Sequence, residues 1–372
     1  MQGAIPLLDL GAQAAALRCE LERAVGTVLA SGRYVLGEPV ERFERDFAEF
    51  CGVQYAIGVN TGTSALHLAL LAAGIGPGDE VITTPMTFVA TVAAILYIGA
   101  RPRLVDIDLA TGNIDPDAVG NAITPRTRAI LPVHLHGRVA AMTAICEIAR
   151  SRGITVIEDA AQAHGALQRG KRAGALADVG CFSFYPGKNL GACGEGGALT
   201  THDPEIARRA RLLRDWGQER KYVCVMQGFN YRMDAIQGAM LGVKLRHLEG
   251  WTIARQARAA YYDTVLASLD IQRPPPAGDG GHVYHVYAVK VPDRDGIHQR
   301  LMEAGIQTSM HYPVPVHLQP AYSELGYGPG AFPNAEAFAA ETLSLPIYPE
   351  LSEAQVERVC TALKSAITRS KD

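Results

Sequence analysis

From Tyr55 onward, the chain alternates short runs of β-branched and other apolar residues with longer segments whose apolar residues recur every three or four positions. The short runs predict strands, and the longer spacing predicts amphipathic helices. Their alternation is typical of a parallel sheet with helices on its faces. We predict strands at residues 56–59, 80–84, 103–106, 129–134, 155–158, 180–184 and 198–201. We predict helices at residues 64–73, 88–98, 116–123, 141–152 and 204–216.

Helical patterning also precedes and follows this alternation. Two helices are predicted between residues 17 and 50, and the spacing over residues 233–269 predicts one long helix or a broken pair that links two domains. We expect an α/β chain with a mostly parallel seven-stranded sheet in a large domain, residues 1–250, and a smaller α/β domain, residues 251–372. After a Pro- and Gly-rich break at residues 274–281, the smaller domain has a predicted strand at 283–291 and helices at 296–304, 334–342 and 352–367.

Composition narrows the classes of function. The 372 residues are 48% hydrophobic, which is enough for a large core, and the formal charge of −3 comes without a basic stripe for nucleic acid or anionic membrane. The seven scattered cysteines include no Cys-x-x-Cys pair and fit reduced thiols. The longest apolar run, residues 88–100, is shorter than the ~20 residues of a membrane span. With no basic targeting region at the start, we expect a cytoplasmic protein.

Lys188 is the first candidate for chemistry. It lies between an aromatic strand end and a glycine-rich turn, in residues 183–191. A lysine amine attacks a carbonyl only when it is neutral, and a partly desolvated pocket lowers its pKa toward neutrality. The alternative is a solvated lysine in a surface turn, where most lysines lie.

Two further features complement this lysine. Residues 60–64 follow a strand and open an apolar helix, so their free amides and hydroxyls form either a phosphate cradle or an ordinary helix cap. Glu158 and Asp159 end another strand, and because neighbouring strand residues face opposite ways, only one acid can face a site there. That acid either caps a helix or pairs with a cation such as a protonated pyridine nitrogen. A phosphate cradle, a strand-end acid and a later lysine together indicate pyridoxal phosphate.

The same motifs make the sequence resemble the sugar aminotransferases of the DegT/DnrJ/EryC1/StrS group, within the aspartate aminotransferase fold type (fold type I). The resemblance extends over nearly the whole chain. It is carried by residues 8–10, 62–70, 77–82, 158–162, 183–191 and 230–233.

The resemblance implies roles for individual residues. Lys188 would form the imine with the cofactor, which alternates between pyridoxal and pyridoxamine phosphate, and Asp159 would pair with the ring nitrogen. Asn230 would reach the phosphate of a neighbouring subunit, so that a homodimer shares its two sites. The other implied cofactor contacts are Gln162 at the ring oxygen, Gly62, Thr63, Ser64 and Ser183 at the phosphate, and Phe88 stacked on the ring.

Substrate contacts are implied for Tyr185, Tyr312, His317 and His136, although many members of the group carry an aromatic residue such as tyrosine in place of His136. His134 and His136 would alternate onto one strand face, but without a third ligand at a suitable spacing we expect no metal.

The expected reaction moves an amino group from an amino acid, expected to be L-glutamate, to a keto group of a nucleotide-linked sugar, with a dTDP-linked 3-keto deoxysugar preferred. Alternative acceptors are a 4-keto sugar, a UDP-linked sugar or a keto-cyclitol. A sugar dehydratase of the same group is disfavoured because those members have histidine where Lys188 stands. A regulatory protein without catalysis is disfavoured because Lys188 and Asp159 are both present.

Overall fold

A computed structural model of the protein describes residues 3–368. Within that range the chain forms thirteen α-helices and thirteen strands, in the alternating order that the sequence predicts for residues 55–214. The helices are α1 (Leu10–Ala16), α2 (Arg18–Ser31), α3 (Glu38–Cys51), α4 (Gly62–Ala72), α5 (Ala90–Tyr97), α6 (Pro116–Ala122), α7 (Met142–Arg150), α8 (Pro204–Arg214), α9 (Ala235–Leu245), α10 (Leu248–Val265), α11 (Arg294–Glu303), α12 (Pro333–Glu341) and α13 (Glu353–Thr368). The strands are β1 (Tyr55–Val59), β2 (Glu80–Thr83), β3 (Arg101–Leu104), β4 (Thr127–Ile130), β5 (Thr155–Asp159), β6 (Leu167–Gln168), β7 (Lys171–Arg172), β8 (Val179–Ser183), β9 (Gly197–Thr201), β10 (Gln218–Arg220), β11 (Val223–Cys224), β12 (Tyr287–Lys290) and β13 (Thr342–Leu345).

Seven of these strands form one sheet in the order β1-β9-β8-β5-β4-β2-β3. Strand β9 runs antiparallel to both of its neighbours, and the other pairs are parallel. The predicted mostly parallel seven-stranded sheet is therefore confirmed. Residues of both sheet faces are buried, since helices cover the sheet on each side, as crossover connections require.

One predicted strand is wrong at its end. The sequence predicts a strand at residues 129–134, whereas β4 stops at Ile130. Beyond it, only Val133 returns to the sheet, through an isolated bridge to Asp159. Pro132 lacks the N–H that a continued ladder would need. The chain then turns through a short 3₁₀ segment in which His136 has a φ of 60°. His134 and His136 consequently do not share a strand face.

The C-terminal part follows the predicted pattern, apart from two differences in its strands. The long helical pattern is a broken pair, α9 and α10, which meet at residues 246–247. The predicted strand 283–291 is reduced to β12, which pairs antiparallel with β13, a strand that the sequence did not predict. A separate apolar cluster lies here and includes Tyr262, Tyr287 and Leu363, together with Ile5 from the N-terminal arm.

The division into domains at residue 250 stays a prediction, and residues 1–2 and 369–372 of the two predicted ranges lie outside the described residues. Across residues 3–368, the helices are too short or too polar to cross a bilayer.

Candidate active site

A cavity opens beside the carboxyl ends of β5 and β8 and the first turn of α4. Ligands bind at this edge of open parallel sheets because the loops and helix N-termini that follow the strands converge there. Nine of the thirteen predicted site residues line the cavity: Gly62, Thr63, Phe88, Asp159, Gln162, Ser183, Tyr185, Lys188 and Tyr312.

Lys188 reaches the cavity from the turn that follows β8. The turn is closed by the amide of Lys188, which donates to the main-chain oxygen of Tyr185 at 2.8 Å. Gly191 permits this fold-back, since a Cβ there would lie 2.3 Å from the main-chain oxygen of Pro186. Burial lowers the pKa of the Lys188 amine to about 8, against an opposing effect of the Asp159 charge. A substantial neutral fraction of this amine is therefore present near neutral pH.

Asp159 ends β5 with its carboxylate directed into the cavity. It accepts hydrogen bonds from the Thr91 hydroxyl at 2.7 Å and from the Ala161 amide at 3.2 Å. Burial raises the pKa of this carboxyl group, although its hydrogen bonds and the charge of Lys188 oppose that shift, and among residues 3–368 no cationic side chain lies within 4.0 Å of it as an ion pair. A buried carboxylate without an ion-pair partner fits a cationic group of a ligand, and a protonated pyridine nitrogen has the required charge.

Glu158, the preceding residue, faces the opposite side of the sheet. Its carboxylate accepts from the amides of Gly174, Leu176 and Ala177 at 2.8–3.0 Å and lies 3.0 Å from His134 Nε2. The side chains of Glu158 and His134 are completely buried. Glu158 therefore holds a loop in place, whereas Asp159 faces the cavity.

The start of α4 provides an anion cradle. Thr61 caps the helix by accepting from the Ser64 amide at 3.0 Å, and the amides of Gly62 and Thr63 donate to no other group among the described residues. Free first-turn amides of this kind bind phosphate. Position 62 requires glycine, since a Cβ there would lie 2.6 Å from Cβ of Ser183.

Four predicted site residues do not line the cavity. The Ser64 hydroxyl donates to Asn60 Oδ1 at 2.7 Å and is thereby occupied within the helix cap. His317 is buried, with Nε2 3.1 Å from the Glu336 carboxylate. His136 is also buried, behind Gln162. Asn230 is exposed and accepts from Arg232 at 2.6 Å.

Several residues that line the cavity were not predicted from the sequence. Thr91 lies in the first turn of α5, and its hydroxyl is 2.7 Å from that of Thr87, which precedes the helix by three residues, so this pair supports Asp159. His285 and His311 also line the cavity. Two hydroxyls four residues apart, at the start of an apolar helix, were a usable signal for the threonine pair, whereas the histidines arrive from distant segments and had none.

His285 has a defined orientation. The Asn189 amide donates to the Val283 carbonyl at 3.0 Å, so its oxygen faces His285 Nδ1 at 3.3 Å. Burial holds the pKa of His285 well below its usual value, and nearby Lys188 lowers it further. The ring is therefore neutral, with its proton on Nδ1 and an acceptor at Nε2. Over residues 3–368, no group of three or more His, Cys, Asp or Glu side chains is arranged to hold a metal ion.

The cradle, the unpaired buried carboxylate and the buried amine fit the phosphate, ring nitrogen and aldehyde of pyridoxal phosphate, and together with the fold they define a pyridoxal-phosphate-dependent aminotransferase. The model of the DegT/DnrJ/EryC1/StrS aminotransferase family matches residues 16–364. The chain belongs to this family.

Individual relatives agree with this assignment. The chain is 48% identical, over 97% of its length and 95% of the relative's, to the dTDP-3-amino-3,4,6-trideoxy-alpha-D-glucose transaminase of Streptomyces venezuelae. Among solved structures, S. venezuelae DesV in complex with a ketimine intermediate superposes with a TM-score of 0.96, at 47% identity and 98% coverage of both chains. NtdA of Bacillus subtilis, with bound cofactor PMP, gives a TM-score of 0.92 at 34% identity, covering 99% of this chain and 86% of that one. The pyridoxal phosphate cofactor expected from the sequence is confirmed.

Proposed function

We propose that the protein transfers an amino group from L-glutamate to the keto group of a nucleotide-linked sugar, with a dTDP-linked 3-keto deoxysugar as the acceptor. The observation that carries this proposal is the placement of Lys188 and Asp159 in one cavity that also presents Tyr185, Tyr312 and His285. Hydroxyl and imidazole groups suit a sugar, because its hydroxyls need polar partners once water is excluded.

The names of the relatives support amination at C3. A second relative, 45% identical over 96% of this chain, is the dTDP-3-amino-3,6-dideoxy-alpha-D-galactopyranose transaminase of Aneurinibacillus thermoaerophilus. A UDP-N-acetyl-3-dehydro-alpha-D-glucosamine 3-aminotransferase of Acidithiobacillus ferrooxidans is 40% identical over 98% of the chain. The amino position is common to these names while the nucleotide differs, so C3 is the better supported part of the proposal.

The residues of this chain have distinct tasks in such a reaction. Pyridoxal phosphate, when bound, supplies an aldehyde that accepts amino groups and an electron-withdrawing ring. The Asp159 carboxylate favours a proton on the ring nitrogen, and the first-turn amides of Gly62 and Thr63 bind the phosphate. The Lys188 Nζ atom takes a proton from the α-carbon of the amino acid, and later gives a proton to the carbon that receives the amino group.

The protein is proposed to act as a homodimer with shared sites. Asn230 is exposed and outside the cavity of its own chain, as expected for a residue that serves a neighbouring subunit. Close to it lies an exposed aromatic surface that includes Trp216, 47% exposed, and Tyr222, 84% exposed. Apolar surface of this kind is typical of an interface between subunits.

A regulatory role is the second candidate, because EryC1 of Saccharopolyspora erythraea, 46% identical over 97% of this chain, is named an erythromycin biosynthesis sensory transduction protein. The buried Lys188 with its lowered pKa argues for catalysis, since a regulator does not need a reactive amine. The dehydratase alternative is disfavoured because lysine occupies position 188.

The test offers the purified enzyme L-glutamate with matched 3-keto and 4-keto sugars on dTDP and UDP, and with a keto-inositol, and measures amino products by mass spectrometry. The proposal requires the dTDP-linked 3-keto sugar to turn over fastest. Faster turnover of a 4-keto sugar or the cyclitol would refute the acceptor. A cofactor that glutamate never bleaches, with no amino product from any acceptor, would refute the transamination.

A further inference from the structure

His136 lies behind the cavity and is connected to it by a ring of hydrogen bonds. Its main-chain amide donates to Gln162 Oε1 at 2.6 Å, and its side-chain Nε2 lies 2.8 Å from the main-chain oxygen of His311. Gln162 Nε2 in turn lies 3.0 Å from the Tyr312 hydroxyl oxygen. Because His311 and Tyr312 are consecutive, the contacts form a closed circuit among three segments, and His136 and His311 in this circuit are 175 residues apart along the chain.

The chemistry of each group fixes the direction of these bonds. A carbonyl oxygen only accepts, so the imidazole of His136 must carry its proton on Nε2. A main-chain amide only donates, so Oε1 of Gln162 faces His136 and its NH₂ group faces Tyr312. The tyrosine oxygen therefore accepts from Gln162, and its own proton is left for another partner. Among the described residues none takes that proton, and Tyr312 lines the cavity.

We propose that His136 is a positioning residue, which holds the segment His311–Tyr312 so that the Tyr312 hydroxyl and the second N–H of Gln162 both donate into the cavity. These two groups then bind an oxygen atom that accepts hydrogen bonds and disfavour a group that donates them. The ring oxygen of the cofactor and a carbonyl oxygen of a substrate are acceptors of this kind. The inference rests on the proposed use of the cavity. This positioning role replaces the direct substrate contact that the family resemblance implies for His136.

The surroundings of His136 suit this role. The residue is 5% exposed, and its ring lies 5.9 Å from that of Phe338. Burial lowers the pKa of the imidazole to about 4, so the ring is neutral at pH 7 and has one proton to donate. The main-chain oxygen of His136 accepts from the Val286 amide at 3.2 Å, which ties the turn to the segment that also carries His285.

The test compares His136→Phe, which removes the donor, with His136→Gln, whose amide nitrogen replaces Nε2. Both side chains lack β-branching, so the cost of the positive φ is similar in the two variants. The first readout is the dissociation constant of pyridoxal phosphate from the apoenzyme, followed by protein fluorescence. The second is the rate at which glutamate bleaches the bound cofactor.

We expect His136→Phe to weaken cofactor binding and slow the bleaching by about tenfold, as for a lost hydrogen bond to a buried group, and His136→Gln to stay within about twofold of the wild type. In the Tyr312→Phe background, His136→Phe should have an effect below about twofold, because the group that it positions is already absent. His136→Met is the second donor-free variant if His136→Phe does not fold. His298→Phe is the matched control, since His298 contacts Thr308 outside the cavity.

An equal effect of His136→Phe in both backgrounds would overturn the proposal, and so would a His136→Gln variant as impaired as His136→Phe. These readouts need only cofactor and glutamate. Failure of every nucleotide sugar as acceptor, with the coupling between His136 and Tyr312 intact, would refute the proposed acceptor and leave the positioning role standing.

Discussion

The reactivity of Lys188 can be tested in the apoenzyme, where its amine is free. Its pKa of about 8 compares with 10.5 for a solvated lysine. At pH 7 about a tenth of the Lys188 amine is then neutral, which is about 300 times the neutral fraction of a solvated lysine. Only the neutral amine captures an aldehyde, and deprotonation increases with pH. The rate of covalent cofactor capture should therefore rise with pH and level off above about pH 8.

Replacing Asp159 by asparagine changes this profile in a defined direction. The Asp159 charge raises the pKa of Lys188, so Asp159→Asn should lower that pKa and move the midpoint of the profile to lower pH. The assay mixes apoenzyme with pyridoxal phosphate in a stopped-flow spectrometer between pH 6 and pH 10, and records the absorbance of the covalent product. Pyridoxal without the phosphate is used in parallel to separate titration of the cofactor from that of the protein.

Glu158→Gln is the matched control, because this acid lies one residue away but faces the other side of the sheet, and its midpoint should equal that of the wild type. A wild-type midpoint near 10.5 would show that Lys188 is solvated and refute the reasoning. A shift of the Asp159→Asn midpoint to higher pH would refute the assigned direction of the Asp159 effect.

Three other predictions concern the same site. Lys188→Ala should fold but fail to complete turnover, and borohydride reduction of the wild type should attach the cofactor to the Lys188 peptide, as mass spectrometry can show. Asp159→Asn should lose much more activity per folded molecule than Glu158→Gln, whereas Glu158→Gln should lower the free energy of unfolding by about 1–3 kcal/mol, because it disturbs a buried network. Mixing inactive Lys188→Ala chains with inactive Asn230→Ala chains should restore some activity, since a hybrid dimer rebuilds one intact site.

Each of these predictions has an opposing outcome. Reduction that labels another lysine would exclude Lys188 as the attachment point. Equal loss of activity in the two acid variants, measured at a temperature where both are folded, would contradict the pairing of Asp159 with the ring nitrogen. Absence of recovered activity despite proven exchange of subunits would contradict a site shared through Asn230.

The sequence determined the parts of this protein that depend on local patterns. Buried parallel strands must be short and apolar and their crossover helices amphipathic, so the seven strands of the main sheet could be recognised from composition and spacing. Lys188 and Asp159 were found for a related reason. Asp159 lies at the end of one recognisable strand and Lys188 in the turn that follows another, and in a parallel sheet the strands' carboxyl ends define where a site forms.

Only the tertiary structure decided which other side chains reach the cavity. Pro132 ends β4 early, and the positive φ at His136 turns that residue behind Gln162, whereas its sequence neighbours suggested a strand face. His317 is held away by Glu336, and His285 is oriented by Asn189, 96 residues earlier in the chain. Such contacts join segments that are far apart in the sequence and that meet only because distant helices and strands pack together. Periodicity along the chain records which residues are buried, but it does not record which buried residues meet.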